Sequence, residues 1–416
     1  MKNILIAIRS IFKKGRHNVM KIVSLGIGLA VGLVLIAKVY FEQSYDDFYP
    51  DRDRVYQVWA KYQQKGGELK DYPQTSGGIA PTMQQQIPEI ETVTRYTSFG
   101  DWTFTMTDTK MKYSGRCIIA DSCFFDILPR PMLIGNAKEV LSTPMYVLIS
   151  SRIAKNIGGD VIGKNFTVDN SPGRTMTIGG VFEEVPENSH SRYDVIVSMA
   201  SAGRFMWEGS PTNMLGNDRY ISYVKLHKGV NPLALEEQVR TFVNSYFPPE
   251  EQQKVGLSID FSFHKLDNLH KELPQVKRMT WILSLLAFAL IFTAVMNYIL
   301  IVISSIVNRS KEVAVHKCYG ASENNIHGMM FGEALVHIVL SLILALLLIL
   351  AFRGTVEELL ATSLDSLLLS NGSLVLLGIC ILVFFVSGFM PGSLYARIPV
   401  ASAFRNYREN KRIWKK

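Results

Sequence analysis

Four apolar blocks interrupt an otherwise mixed chain, at about Val19–Phe41, Thr280–Ile303, Gly332–Phe352 and Leu374–Tyr395. Each approaches the ~20 apolar residues needed to cross ~30 Å of hydrocarbon, so each predicts a transmembrane helix. Between the first two blocks the pattern shortens. Val55, Gln57 and Trp59 alternate with Tyr56 and Val58 as in a strand, and strand-like runs recur at Arg116–Ala120, Tyr146–Ile149, Met176–Val181 and Tyr220–Lys225. Helical patterns fall at Ile79–Gln86, Ser122–Leu128, Ser151–Ile157 and Pro232–Phe247; in the last, Leu235, Val239, Phe242 and Tyr246 share one face. Interleaved strands and helices predict a mixed α/β domain. Ahead of the first block, Ile4, Leu5, Ile8, Ile11 and Phe12 share a face while Lys2, Arg9, Lys13 and Arg16 lie elsewhere, the pattern of an interfacial helix.

The predicted fold is therefore an α-helical membrane protein with four transmembrane helices and a large mixed α/β extracytoplasmic domain between spans one and two. The boundaries read as an amphipathic helix (1–18), span one (19–41), the outer domain (42–279), span two (280–303), a cytoplasmic hairpin (304–331), span three (332–352), a short outer loop (353–373), span four (374–395) and a basic tail (396–416). The first block reads as a retained anchor rather than a cleaved signal peptide, because no small-x-small cleavage site follows it. Lys21 and Lys38 bracket 16 uncharged residues, a rise of about 24 Å, and their stems are expected to snorkel to opposite interfaces.

Composition sharpens this picture. Hydrophobic residues make up 48% of the 416, the net charge is +8 and the pI about 9.1. The outer domain is slightly acidic, with 26 basic and 29 acidic residues over 42–279, so the positive excess is juxtamembrane and faces anionic lipid headgroups rather than nucleic acid. Lys and Arg cluster at both ends and after span two (Arg309, Lys311, Lys317), whereas the loop after span three has Arg353 against Glu357, Glu358 and Asp365. The positive-inside rule puts both termini in the cytoplasm and the large domain outside. Cys117 and Cys123 lie where a disulfide is permitted; the alternative is two small buried side chains.

Catalytic chemistry finds little support. Gly158-Gly159-Asp160-Val161-Ile162-Gly163-Lys164 begins like a phosphate-binding loop, but Asn165 stands where the Mg²⁺-holding hydroxyl belongs, and the segment reads as a turn. His190 near Glu183, Glu184 and Glu187 invites a metal site, yet Pro186 and Asn188-Ser189 mark a turn. No catalytic residue, metal site or cofactor is predicted in this chain. In the cytoplasmic segment Gly320 suits a left-handed helix cap and Ser322 an N-cap, making a tight charged hairpin that is either a coupling element or a solvated turn. Glu333 and His337 stand one turn apart at the start of span three, where ionisable groups are costly and either structural or functional.

These residues together resemble the MacB/FtsX superfamily of ABC permeases. Asn297 and the run Arg309-Ser310-Lys311-Glu312-Val313-Ala314-Val315-His316-Lys317-Cys318-Tyr319-Gly320-Ala321 resemble the family's post-span motif, with Ala314 for a Gly and His316 for an Arg. Glu333 sits where the family has its span-three Glu, and FHKLDNLHKE resembles the approach to span two. SYDDFYPDRDRVYQV, IADSCFFDILPRPMLIGN, VIGKNFTV and IGGVFEEVPENSHSRYDV are similar to the MacB-like periplasmic core, and FMPGSLYARIPVASAFR to the usual C-terminal segment.

The resemblance implies the permease subunit of a type VII-like ABC transporter, with ATP and Mg on a separate ATPase subunit. Its ATPase-coupling residues would be Arg309, Lys311, Glu312, His316, Lys317, Gly320 and Ser322. Four spans imply a dimer with a second copy or a paralogue. The work would be done outside, on an envelope cargo, in efflux or in lipoprotein, peptide or lipid release, with a periplasmic or outer-membrane partner. The alternative is a receptor-like subunit that regulates an ATPase or an envelope hydrolase.

Overall fold

The computed structural model describes residues 18–169, 171–304, 315, 318–320, 322–360, 362–369, 378, 379 and 382. The chain divides into two compact units, Ser44–Leu273 and the flanking segments that carry the spans.

The first unit is built on one mixed sheet. In chain order its elements are β1 (Val55–Gln64), β2 (Leu69–Tyr72), α2 (Ile79–Gln86), β3 (Ile90–Met106), β4 (Lys112–Ala120), α3 (Phe124–Ile127), β5 (Met132–Ile134), α4 (Ala137–Ser142), β6 (Tyr146–Ser150), α5 (Ser151–Ile157), β7 (Asn165–Val168) and β8 (Ser171–Phe182). There follow β9 (Val195–Ser198), α6 (Ala202–Phe205), β10 (Ile221–Leu226), α7 (Glu236–Tyr246), α8 (Pro249–Val255) and β11 (Leu257–Lys265), with α1 (Asn18–Gln43) preceding them all. Strand order is β11-β1-β10-β3-β4-β9-β6-β8-β5, with β2 on β1 and β7 bridging β3 and β8. The β4–β9 and β6–β8 pairs are parallel and the others antiparallel.

Three cores stabilise the sheet. At one end, α2 and α7 bury Met83, Val239, Phe242 and Val243 against Tyr56, Val224 and Phe261. In the middle, Tyr49, Tyr96, Phe124, Phe182, Tyr193 and Tyr223 form an aromatic core. Trp102, Phe104, Phe166, Met176 and Ile178 fill the third.

Every predicted strand is present, and α2 and α5 keep their predicted limits. Ser122–Leu128 shortens to α3, and Pro232–Phe247 opens with a 3₁₀ turn before α7. The principal addition is β3, whose 17 residues contain a register shift between Ser98 and Gly100, with Gly100 at φ +76°.

In the second unit, three described helices are long and apolar enough to span a membrane: Asn18–Gln43, Pro274–Ile303 and Phe331–Ala351. They belong to α1, α9 (Pro274–Ser304) and α10 (Glu323–Ala351), followed by short α11 (Arg353–Leu360) and α12 (Leu364–Leu369). The predicted fourth span falls almost wholly outside the described residues. Span one packs against both neighbours through glycines. A Cβ on Gly28 would overlap Ala294 and one on Gly32 would overlap Ile291, while Gly26 faces Leu344 and the Ser341 carbonyl of span three. Without a hydrophobic drive between helices in lipid, small residues of this kind let backbones approach closely.

The two lysines of span one are partnered within the unit. Lys38 pairs with Glu42 at 2.6 Å and donates to the Leu360 carbonyl at 2.7 Å and to Thr362 Oγ1 at 3.3 Å. Lys21 is buried and donates to Asn18 Oδ1 at 3.4 Å. Burying an ammonium is tolerable only with partners of this sort.

Candidate functional site

Of the cytoplasmic hairpin, Arg309, Lys311, Glu312, His316 and Lys317 lie outside the described residues. Gly320 is described, exposed, and at φ +86°, the left-handed region that glycine enters without a Cβ penalty. Ser322 immediately precedes α10. Within the spans, the structure separates the polar residues into two sets. Glu333 and His337 are buried, whereas Asn297 is exposed on span two. His337 Nδ1 lies 3.4 Å from the Tyr298 hydroxyl. Ser341, one turn further along, donates to the His337 carbonyl at 2.8 Å and across to the Ile22 carbonyl of span one at 3.1 Å. A buried polar seam thus runs through all three described spans.

In the outer domain the permitted disulfide is not formed. Cys117 and Cys123 are both free. Cys117 points into the third core, while the Cys123 thiol faces the Val93 carbonyl at 3.1 Å beside β3. Burial pushes both thiols up from their usual range. The segment resembling a phosphate loop is a turn between α5 and β7, with Gly158, Gly159 and Gly163 all at positive φ. Asn165 opens β7 and accepts from Thr177 Oγ1 at 2.8 Å.

His190 has a different partner set from the one its sequence neighbours suggest. Its Nδ1 lies 2.7 Å from Asp46 Oδ2, and its Nε2 contacts the Tyr223 hydroxyl. Asp46 is fully buried. It also accepts from Ser189 Oγ at 3.0 Å and from the His190 backbone N–H at 3.3 Å. Ser191 Oγ donates to the Tyr96 hydroxyl at 2.7 Å. The knot takes in the first residues of this unit, because the Asn188 amide donates to the Ser44 carbonyl at 2.7 Å and Asp46 N–H donates to the Asn188 carbonyl at 2.9 Å. Burial raises the Tyr96 phenol to about 12 and the Tyr223 phenol well above its usual value, so both stay protonated as hydrogen-bonding groups.

Sequence reasoning missed Asp46, Tyr223 and Tyr96 here, since 144 positions separate Asp46 from His190. One trace was present: NSH and YDD both fall in segments resembling the MacB-like core. Among the described residues, no group of three or more His, Cys, Asp or Glu side chains could hold a metal ion. The arrangement fixes a chain segment.

Two family models match the chain. A family model described as the MacB-like periplasmic core domain matches residues 20–242, more than half of the chain. A second, the FtsX-like permease C-terminal domain, matches residues 284–400. No curated protein matches. Among solved structures, the chain is similar to a domain of a Porphyromonas gingivalis protein described as a permease, with 33% identity, a TM-score of 0.48, and coverage of 52% of this chain and 91% of that one. It is also similar to the extracellular domain of the noncanonic ABC-type transporter YknZ from Gram-positive bacteria, with 10% identity, a TM-score of 0.35, and coverage of 50% and 98%. With a MacB-like core inserted ahead of an FtsX-like permease domain, the chain belongs to the MacB/FtsX family of ABC-transporter permeases.

Proposed function

We propose that this chain is the permease subunit of a type VII-like ABC transporter, transmitting ATPase-driven motion across a bacterial inner membrane to an envelope cargo. The observation that supports this most is the order of parts. In sequence, a core domain is inserted between spans one and two. The segment that follows the second span in sequence, 304–331, carries Arg309, Lys311 and Lys317, the charge expected of a cytoplasmic connection. ATP and Mg²⁺ bind a separate ATPase subunit that docks beneath this hairpin, with Lys311 and Glu312 offering charges to it and Gly320 setting its turn. Both termini are cytoplasmic, four spans cross, and two permease copies (or a copy and a paralogue) assemble with two ATPases. ATP binding shifts the permease only insofar as ATPase closure favours one arrangement of the spans. Lipids surround the spans, and the outer domains act on a lipoprotein, peptide or lipid, with or without a further envelope partner.

The test is to purify the complex from its native membrane and follow ATP hydrolysis. An ATPase subunit is expected to accompany the wild-type chain. Glu312→Lys adds repulsion to the loss of a pair, and Gly320→Val forces a β-branched residue to positive φ. Both variants are expected to insert normally and to lose at least fivefold of the coupled ATPase rate. Normal coupled turnover in both, or ATP hydrolysis by the purified chain alone, overturns the assignment.

A further inference from the structure

Two short segments join the outer domain to the spans: Ser44–Arg54, which follows span one, and Leu266–Leu273, which leads into span two. They are not independent tethers. The rings of Tyr45 and His270 stack with centroids 3.4 Å apart and planes within 7°. Beside them four charges close into a ring. Lys271 lies 3.2 Å from Asp47 and 2.8 Å from Asp267, and Arg52 lies 3.3 Å from Asp47 and 3.5 Å from Asp267. Each segment supplies one acid and one base, so every charge meets an opposite one on its own segment and another across the gap. Isolated surface pairs hold little. A closed ring holds more, because ordering one side chain serves two contacts. Behind the ring, Tyr49 of the first segment and Leu266 of the second are buried in the same aromatic core. The first segment is further fixed by the Asp46–His190 contact.

We infer that this brace is a fixed coupling: the two segments that lead into spans one and two, Ser44–Arg54 and Leu266–Leu273, stay joined throughout the transport cycle. Tyr45, Asp47, Arg52, Asp267, His270 and Lys271 are positioning residues for this transmission. The inference rests on the transporter reading above.

The experiment uses the full complex in vesicles, with Cys318→Ser and Cys380→Ser, carrying Tyr45→Cys and His270→Cys. Cross-linking by copper-phenanthroline is followed without nucleotide and with ATP plus vanadate, and ATP turnover is measured before and after oxidation. The expected result is a bond that forms at rates within twofold in both states and leaves turnover within twofold. A bond forming in only one state, or turnover falling tenfold on oxidation and returning with dithiothreitol, overturns the inference, as does failure to cross-link in either state. Lys271→Glu, and the milder Arg52→Gln, are expected to slow the cross-link at least fivefold and twofold, respectively. Unchanged rates in both remove the charge ring from the brace. Failure of the transporter reading looks different: no ATPase would accompany the chain, whatever the cross-link does.

Discussion

Asp46 shows how much a single residue can settle. It is buried, non-glycine, and held at φ +60°, a conformation that strains most side chains but that Asp and Asn tolerate. Its carboxylate is acceptable in the interior only because Ser189 and His190 donate to it. Removing the imidazole leaves the buried Asp46 one donor short, so His190→Ala is expected to cost about 2–3 kcal/mol. Asp46→Asn keeps the backbone preference and an acceptor oxygen, and is expected to cost about 1 kcal/mol. Thermal unfolding of the purified chain in detergent ranks the two; equal losses would contradict the pairing. A second residue-scale network titrates. Hydrogen bonds from Lys225 and Arg54 hold Asp51 below the usual carboxylate range, and Arg54 does the same for Glu91. A carboxyl depressed on folding contributes stability above its unfolded value, and that contribution is lost as pH falls through the folded one. Stability is therefore expected to be flat near neutrality and to decline below about pH 4. In Arg54→Leu this acid-side decline should be shallower, which an unfolding series from pH 7 to 3 checks.

At the scale of elements, the sequence is most legible where one periodicity persists. Alternation located β1, a strand-like run located β10, and a single apolar face located α7. The breaks explain the misses. β3 reads poorly because Gly100 and Asp101 interrupt its alternation, and the register shift there moves the inward face by one residue. β9 has four residues, all buried, so it offers no alternation to detect. The spans carry a different signal, since apolar length identifies them without saying which faces meet. Gly28 and Gly32, four residues apart, supply that information only once Ala294 and Ile291 are seen against them. Gly28→Leu must displace span two, an overpacking that costs typically 1–3 kcal/mol or more. It is expected to lower the detergent melting temperature clearly, with Gly354→Leu, which meets open space, as the neutral comparison. Equal melting temperatures for the two variants would mean the close approach contributes nothing.

Across the whole molecule the candidate site divides along the same line. The brace and the Asp46 knot unite segments far apart in sequence, and no local pattern could join Tyr45 to His270. The hairpin expected at 304–331 is the reverse case: charge and family resemblance point to it because its residues are contiguous, and Arg309, Lys311, Glu312, His316 and Lys317 lie outside the described residues. Topology links the two, since the hairpin can transmit to the brace only if they lie on opposite sides of the membrane. Lys and Arg cluster at both ends of the chain and after span two, so an even number of crossings is expected. Three crossings would place the basic tail outside, against the rule. A reporter fused after Lys416 is therefore expected to be cytoplasmic. For the outer side, the turn between β1 and β2 is a suitable insertion point, because Gly66 has φ +77° and nothing within 4 Å of where a Cβ would lie. A reporter between Gly66 and Gly67 should be active only outside, with the chain still inserted and its partner bound. An outside signal from Lys416 would mean that 374–395 does not cross, and would remove the four-span basis for pairing two copies of this chain.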